Sequence, residues 1–194
     1  MSDIVVGPDG VPRCWWCGDD PAYVGYHDDE WGRPLRDERA LYEKVCLEGF
    51  QAGLSWITIL RKRPAFGSAF AGFDIGAVAA FDEADVERLL ADPAIVRHQG
   101  KIRAAIANAR AVQAMHEAGT TLTDVIWSFQ PSPRSAALQA RTEIPAQTPE
   151  SVALAKALRG WGVRFFGPTT AYALMQSAGL VDDHLAGCHR TRAT

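Results

Sequence analysis

Cys14, Cys17, Cys46 and Cys188 are the cysteines of this 194-residue chain. In a reducing compartment such residues are thiols or metal ligands rather than disulfides. His27 follows Cys14 by thirteen residues, and the far end holds His184 and Cys188 as an H-x-x-x-C pair. Two sulfurs and two imidazole nitrogens suit a closed, tetrahedral zinc site. The C-terminal pair could share one turn, so a metal there would tie the tail to the N-terminal segment and stop chain ends from fraying. Spacing alone does not select this set. Cys17 completes a C-x-x-C with Cys14, and His189 adjoins Cys188, so both compete as ligands.

Rings form a second constellation. Trp15, Trp16, Tyr23, Tyr26 and Trp31 fall within seventeen residues, and Trp56 follows. Flat rings beside polar neighbours suit stacking around a planar ligand such as a nucleobase, although rings also anchor terminal segments. Glu48 stands in the run Val45-Cys46-Leu47-Glu48-Gly49-Phe50. A carboxylate in that company needs a partner or a function unless it faces water at a helix end. The stretch Gln51 to Trp56 reads as a turn between helices. It could insert Leu54 into a base stack or serve as an ordinary corner.

The elements that must hold these residues are helical. Asp20-Pro21, Asp92-Pro93 and Thr148-Pro149 each read as an N-cap with proline at the first helical position. Asp37 caps a helix running towards Gly53. Ser55 caps the next, from Trp56 to Lys62, where Pro64 interrupts. Asp82 starts another, with Val86, Leu89 and Leu90 at apolar spacing. Lys101 to Ala118 carries a stripe of Ile102, Ile106 and Ala109 until Gly119 stops it. Gly167-Pro168 begins a late helix that Gly179 ends. Gln130 to Pro149 holds four prolines and no period, so it is a long connection. Only Gly162 to Phe166 could be extended. These signals predict eight to ten short helices and an all-α fold.

Nearly half the residues are apolar, so one domain or two small lobes can bury a core. No apolar run approaches the roughly 18 residues of a membrane span. Residues 1–11 lack the pattern of a secretory signal, and a cytoplasmic protein is expected. The formal net charge is -3, which mildly disfavours nucleic acid. The charge is unevenly placed, however. Gly49 to Phe73 and Pro93 to His116 contain no acid, while Arg61, Lys62, Arg63, Arg97, His98, Lys101, Arg103 and Arg110 lie within them. They could form an anion-binding face or solvated helix surfaces.

Ordered motifs narrow these alternatives. They run from Arg13-Cys14 and Trp16, through Tyr26-His27-Asp28-Asp29-Glu30-Trp31-Gly32, to Cys46-Leu47-Glu48-Gly49 and Gln51-Ala52-Gly53-Leu54-Ser55-Trp56-Ile57. Ile95 to Lys101, Asn108-Ala109-Arg110, Trp127-Ser128-Phe129, Met175-Gln176, Gly179 to His184 and Gly187-Cys188 complete them. Across residues 13–188 the chain resembles the bacterial 3-methyladenine DNA glycosylase I family, a branch of the helix-hairpin-helix glycosylases. The resemblance implies a helical fold of two lobes around a cleft. Residues 13–194 would form the glycosylase domain, with 1–12 as an N-terminal extension and the helix-hairpin-helix near 92–118. Cys14, His27, His184 and Cys188 match the ligands of one structural zinc ion. Glu48 and Tyr26 match residues that contact an extruded base, and Trp16, Tyr23 and Trp56 match its surrounding rings, with Leu54 beside them. Arg97, His98, Gly100 and Lys101 fall in the turn whose amides and helix N-terminus would bind DNA phosphate. The implied activity is monofunctional removal of 3-methyladenine from double-stranded alkylated DNA by a monomer, with water as acceptor. No pocket motif supplies a lysine nucleophile, and Asp124 reads as a helix cap. Phe50 departs from the pattern, standing where a polar residue is expected.

Two other readings differ in testable ways. A zinc hydrolase or deaminase needs an open metal position, which four protein ligands would close. A helix-hairpin-helix module that only binds DNA needs neither Glu48 nor the rings.

Overall fold

The computed structural model describes residues 3–192. Residues 1, 2, 193 and 194, the outer ends of the expected extension and domain, lie outside the described residues. Helices dominate. They are α1 (Pro21–Asp29), α2 (Glu38–Gln51), α3 (Trp56–Ala69), α4 (Ile75–Ala79), α5 (Glu83–Ala91), α6 (Gln99–Glu117), α7 (Leu122–Trp127), α8 (Pro149–Gly160) and α9 (Pro168–Ser177). A two-stranded antiparallel hairpin, β1 (Ile4–Val6) and β2 (Pro12–Cys14), precedes them, with Ile4 opposite Cys14.

Local chemistry sets most boundaries. The Asp20, Asp37, Asp82 and Thr148 side chains each accept a first-turn amide. These caps satisfy donors that a helix start otherwise leaves unpaired. Asp124 closes a reciprocal capping box with Thr121. Gly119 and Gly179 follow the ends of α6 and α9 in the left-handed region, at φ 79° and 75°.

Three expectations are corrected. Gly162 to Phe166 is not a strand; the hairpin lies instead at the N-terminus. Its three-residue strands are too short to show an alternating pattern. Helix α3 does not stop before Pro64 but continues to Ala69. Phe66, on the last turns, is fully buried and packs 4.6 Å from the Phe50 ring, so tertiary packing overrides a local proline cost of about 3 kcal/mol. Asp92 does not open a helix. It ends α5, and its carboxylate accepts the amide of Ala94 in the turn before α6.

Helix α2 is the spine. Leu41, Tyr42, Val45, Leu47 and Phe50 are buried along it, and it packs on α3, α6, α7 and α9. The Tyr42 hydroxyl donates to the carbonyl of Ala105 on α6 at 2.9 Å. Phe50 belongs to this core rather than to any polar surface. A smaller apolar cluster of Cys14, Leu185 and Cys188, with Ile4, Trp15 and Trp16 against it, joins the two ends of the chain.

Candidate active site

Cys14, His27, His184 and Cys188 are all buried, and their donor atoms lie within 4.8 Å of one another. Cys14 comes from β2, His27 from α1, and the other two from the loop after α9. Cys188 Sγ is 3.5 Å from His27 Nε2 and 3.6 Å from His184 Nδ1, and Cys14 Sγ is 3.8 Å from His184 Nδ1. The other ring nitrogens are already engaged. His27 Nδ1 meets the Asp28 carboxylate at 2.7 Å, and His184 Nε2 donates to the Trp31 carbonyl at 3.3 Å. A carbonyl only accepts, so His184 Nε2 carries a proton, and Nδ1 is the nitrogen that faces the sulfurs. Asp28 likewise leaves His27 Nε2 facing the cluster. These four residues could therefore hold a metal ion.

Neither competing ligand joins this group, though His189 forms a second possible metal-holding group with His27 and Asp28. Cys17 is buried but outside the four-residue group, and burial pushes its thiol up to about 11. His189 Nε2 lies 2.8 Å from Asp28. That carboxylate also takes hydrogen bonds from Arg13, so it is a hub behind the cluster.

Trp16 links this cluster to a hollow. Its ring lies 5.2 Å from His27, 5.6 Å from Tyr23 and 6.3 Å from Tyr26. Trp56 closes another side, 5.3 Å from Tyr26. The Tyr23 hydroxyl accepts the amide of Ile57, which fixes the start of α3 against α1. The hollow has a volume of about 330 Å³, and Glu48 and Gln51 line it beside the rings. It lies within the size range of small-ligand sites, roughly 300–1,000 Å³.

Glu48 does not face water. It is 5 % exposed, one turn before the end of α2, and the Ser177 hydroxyl reaches it at 3.4 Å. Burial pushes its carboxyl up to about 7, against the opposing pull of the Lys44 charge and the Ser177 hydrogen bond. Burial and the neighbouring Glu48 also push the Tyr26 phenol well above its ordinary value, so it is a neutral donor at working pH. Lys44, one turn earlier on α2, is buried too. Its ammonium sits 5.1 Å over the Tyr26 ring and bonds Glu30 at 2.7 Å. Arg63 binds Glu30 and Glu43 alongside. Sequence reasoning missed Lys44 and Ser177. Lys44 left the faint signal of i,i−4 spacing from Glu48; Ser177, at the end of α9, left none.

The raised carboxyl has a stability consequence. A folded-state pKa above the ordinary 4.5 favours folding fully below pH 4.5, and that contribution is lost as pH rises through about 7. The loss is on the order of 3 kcal/mol. Glu48→Gln should therefore remove much of the decline in melting temperature between pH 5 and 8, and should melt roughly 6–12 °C above the parent at pH 8. Parallel melting profiles for both proteins would contradict this.

The structure separates the remaining residues. Leu54 is 41 % exposed on the α2–α3 turn and does not line the hollow. Arg97 and His98 are exposed before α6, and His98 Nδ1 accepts the Lys101 amide as the N-cap. Lys101 departs from its expected place among surface cations. It is 8 % exposed, and its ammonium donates to the carbonyls of Phe50 and Ala52 at 2.9 and 2.6 Å. Those carbonyls end α2 without helical partners, so the cation is drawn inward to satisfy them.

A helical scaffold with a ring-walled hollow, a buried carboxylate on its wall and a Cys/His cluster behind it defines a protein built to grip a planar ligand. Residues 16–191 match the model of the methyladenine glycosylase family. The chain is 49 % identical over 179 residues to DNA-3-methyladenine glycosylase 1 of Escherichia coli (strain K12), covering 92 % of this chain and 96 % of that protein. A crystal structure of a 3-methyladenine DNA glycosylase I, 50 % identical, superposes with a TM-score of 0.89 over 92 % of this chain and 98 % of that one. A Staphylococcus aureus 3-methyladenine DNA glycosylase I, solved to establish its recognition of 3-methyladenine, is 34 % identical with a TM-score of 0.86, covering 91 % of this chain and 95 % of that one. The chain belongs to the methyladenine glycosylase family.

Proposed function

We propose that this protein removes 3-methyladenine from alkylated double-stranded DNA in base excision repair, by monofunctional hydrolysis of the N-glycosidic bond. The observation that carries the reading is the buried Glu48 carboxylate beside Tyr26 in the ring-lined hollow. Methylation at N3 leaves the base cationic within the nucleotide, and therefore a good leaving group. The electron pair of the N9–C1′ bond departs with the base and neutralises it. Water adds its oxygen to C1′ and gives its proton to solvent. The protein's work is to extrude the base, at a cost of a few kcal/mol, and to hold it. Trp16, Tyr23 and Trp56 surround the ring, and cation–π attraction adds to stacking. The Glu48 charge favours the methylated over the normal base, and Tyr26 bonds the base edge.

One structural zinc ion is proposed at Cys14, His27, His184 and Cys188. Zinc–sulfur and zinc–nitrogen bonds of about 2.3 and 2.0–2.1 Å give tetrahedral edges near 3.6 Å, close to the separations between these donor atoms. Four protein ligands leave no open position, so the ion would supply a cross-link between the N-terminal segment and the tail. Residues 13–194 are read as the glycosylase domain, two lobes around a cleft with the helix-hairpin-helix near 92–118, and 1–12 as its extension. Arg97, with the first-turn amides of α6 at Gly100 and the His98 cap beside them, is assigned to phosphate. Among the described residues no helix is long and apolar enough to cross a membrane. A cytoplasmic monomer is the proposed working form.

Incubation with methylated duplex and chromatography of the released bases tests the reading. The expected product is 3-methyladenine with no normal base; intact methylated DNA after incubation would refute it. Leu54, exposed on the α2–α3 turn, is assigned as the wedge that fills the vacated stack. Leu54→Ala should lower kcat/KM on duplex about tenfold while leaving binding of the free base intact; unchanged kinetics would remove the wedge.

A further inference from the structure

A second, open groove of about 770 Å³ is lined by Ala52, the residue that follows α2. Gln51 lines the hollow and the next residue, Ala52, lines the groove, just before the turn that carries Leu54. Arg103, Arg159 and Arg164 line the groove, and no carboxylate does among the described residues. Arg103 is held by Glu83 at 2.6 Å. Arg159 and Arg164 are exposed, and neither side chain has an acidic partner among the described residues.

Phe165 is the unusual residue of this groove. It is 48 % exposed and holds a backbone φ of 53°. A bulky L-residue rarely adopts the left-handed region without support from its surroundings. That support is buried and specific. Asn108 is 3 % exposed and grips the backbone of Arg164, accepting its amide at 2.8 Å and donating to its carbonyl at 3.3 Å. Val163 and Phe166 anchor the segment in the core, at 4 % and 5 % exposure. Behind the ring, a Cβ on Gly100 would stand 3.2 Å from the His98 ring and 3.3 Å from the Phe165 ring, so glycine there lets the α6 N-terminus sit close without displacing either ring. His98 meets the ring edge-on, 6.0 Å away. The buried clamp thus holds a half-exposed apolar ring in a groove that Arg159 and Arg164 also line, next to the first turn of α6.

We propose that this groove extends the DNA contact beyond the base hollow, the Leu54 turn and the phosphate site at Arg97 and Gly100. In it Phe165 presses on the sugar and base edges of nucleotides beside the everted one, and Arg159 and Arg164 pair with their phosphates. The occupant is a polyanion with apolar edges, which matches a groove of ring and arginines without acid. This rests on the glycosylase reading above.

The test is fluorescence anisotropy with a duplex containing a tetrahydrofuran abasic-site analogue. Phe165→Ala should raise Kd at least fivefold at 100 mM salt. The double variant Arg159→Gln/Arg164→Gln should reduce the slope of log K against log salt by about 2, roughly 0.9 for each phosphate no longer neutralised. Both variants should bind free 3-methyladenine as the parent does. The glutamine pair lies on the surface and carries the test if Phe165→Ala fails to fold. If the parent excises 3-methyladenine while the folded variants keep its duplex affinity and salt slope, the groove has no DNA role. If the parent excises nothing, the glycosylase reading falls and this second interface falls with it.

Discussion

Glu48→Gln is expected to lower 3-methyladenine excision by about a hundredfold while leaving the protein at least as stable as the parent. The amide keeps the shape of the carboxyl and its hydrogen bond with Ser177, and removes only the charge. That charge stands in a buried site, where its attraction for a cationic base is far less screened than in water. Losing a close charge–charge hydrogen bond there costs on the order of 3 kcal/mol, or about two decades in rate. Stability moves the other way, because a carboxyl pushed up to about 7 by burial destabilises the fold once ionised. Opposite signs in the two measurements separate recognition from folding. The parent's kcat/KM should also fall as pH drops below about 7, and the variant should lack that limb. Equal single-turnover rates for variant and parent on methylated duplex would remove Glu48 from the role.

Cys14→Ala is expected to bring bound zinc from one equivalent to near zero and to lower the melting temperature by about 10 °C. The four donors join β2, α1 and the loop after α9, segments otherwise held by a small cluster around Cys14, Leu185 and Cys188. Losing a structural metal ranks among the few single changes that cost more than about 4 kcal/mol. A chain of this size loses roughly 2–4 °C for each kcal/mol. The Trp16 ring rests 5.2 Å from His27, so the loosened cluster should also weaken the hollow wall. Cys17→Ala is the control and should keep its zinc. Metal analysis showing full zinc in Cys14→Ala and none in Cys17→Ala would reassign the ligand.

The helices were legible where a short-range rule decides them. Asp37 and Thr148 announced α2 and α8 because a cap is a bond between residues three apart. The same rule misled at Asp92, whose carboxylate finds its amide in a turn as readily as at a helix start. Pro64 misled because its local penalty is outweighed by Phe66, whose burial depends on Phe50 from another helix. The hollow was legible as composition, in clustered rings and a carboxylate among apolar neighbours. Its electrostatics were not. Buried Lys44 needs Glu30 from the segment after α1, and Ser177 reaches Glu48 from α9. Lys101 looked like a surface cation until the fold placed two unpartnered carbonyls of α2 within its reach. The four residues that could hold a metal, split between the two ends of the chain, stood out only through the family resemblance.

Tryptophan fluorescence during titration with free 3-methyladenine reports directly on Trp16 and Trp56 at the hollow. Saturable quenching by 3-methyladenine is predicted, with adenine giving little change at the same concentrations. Equal responses to the two bases, or no response to either, would contradict a ring-lined hollow that holds 3-methyladenine in preference to the normal base.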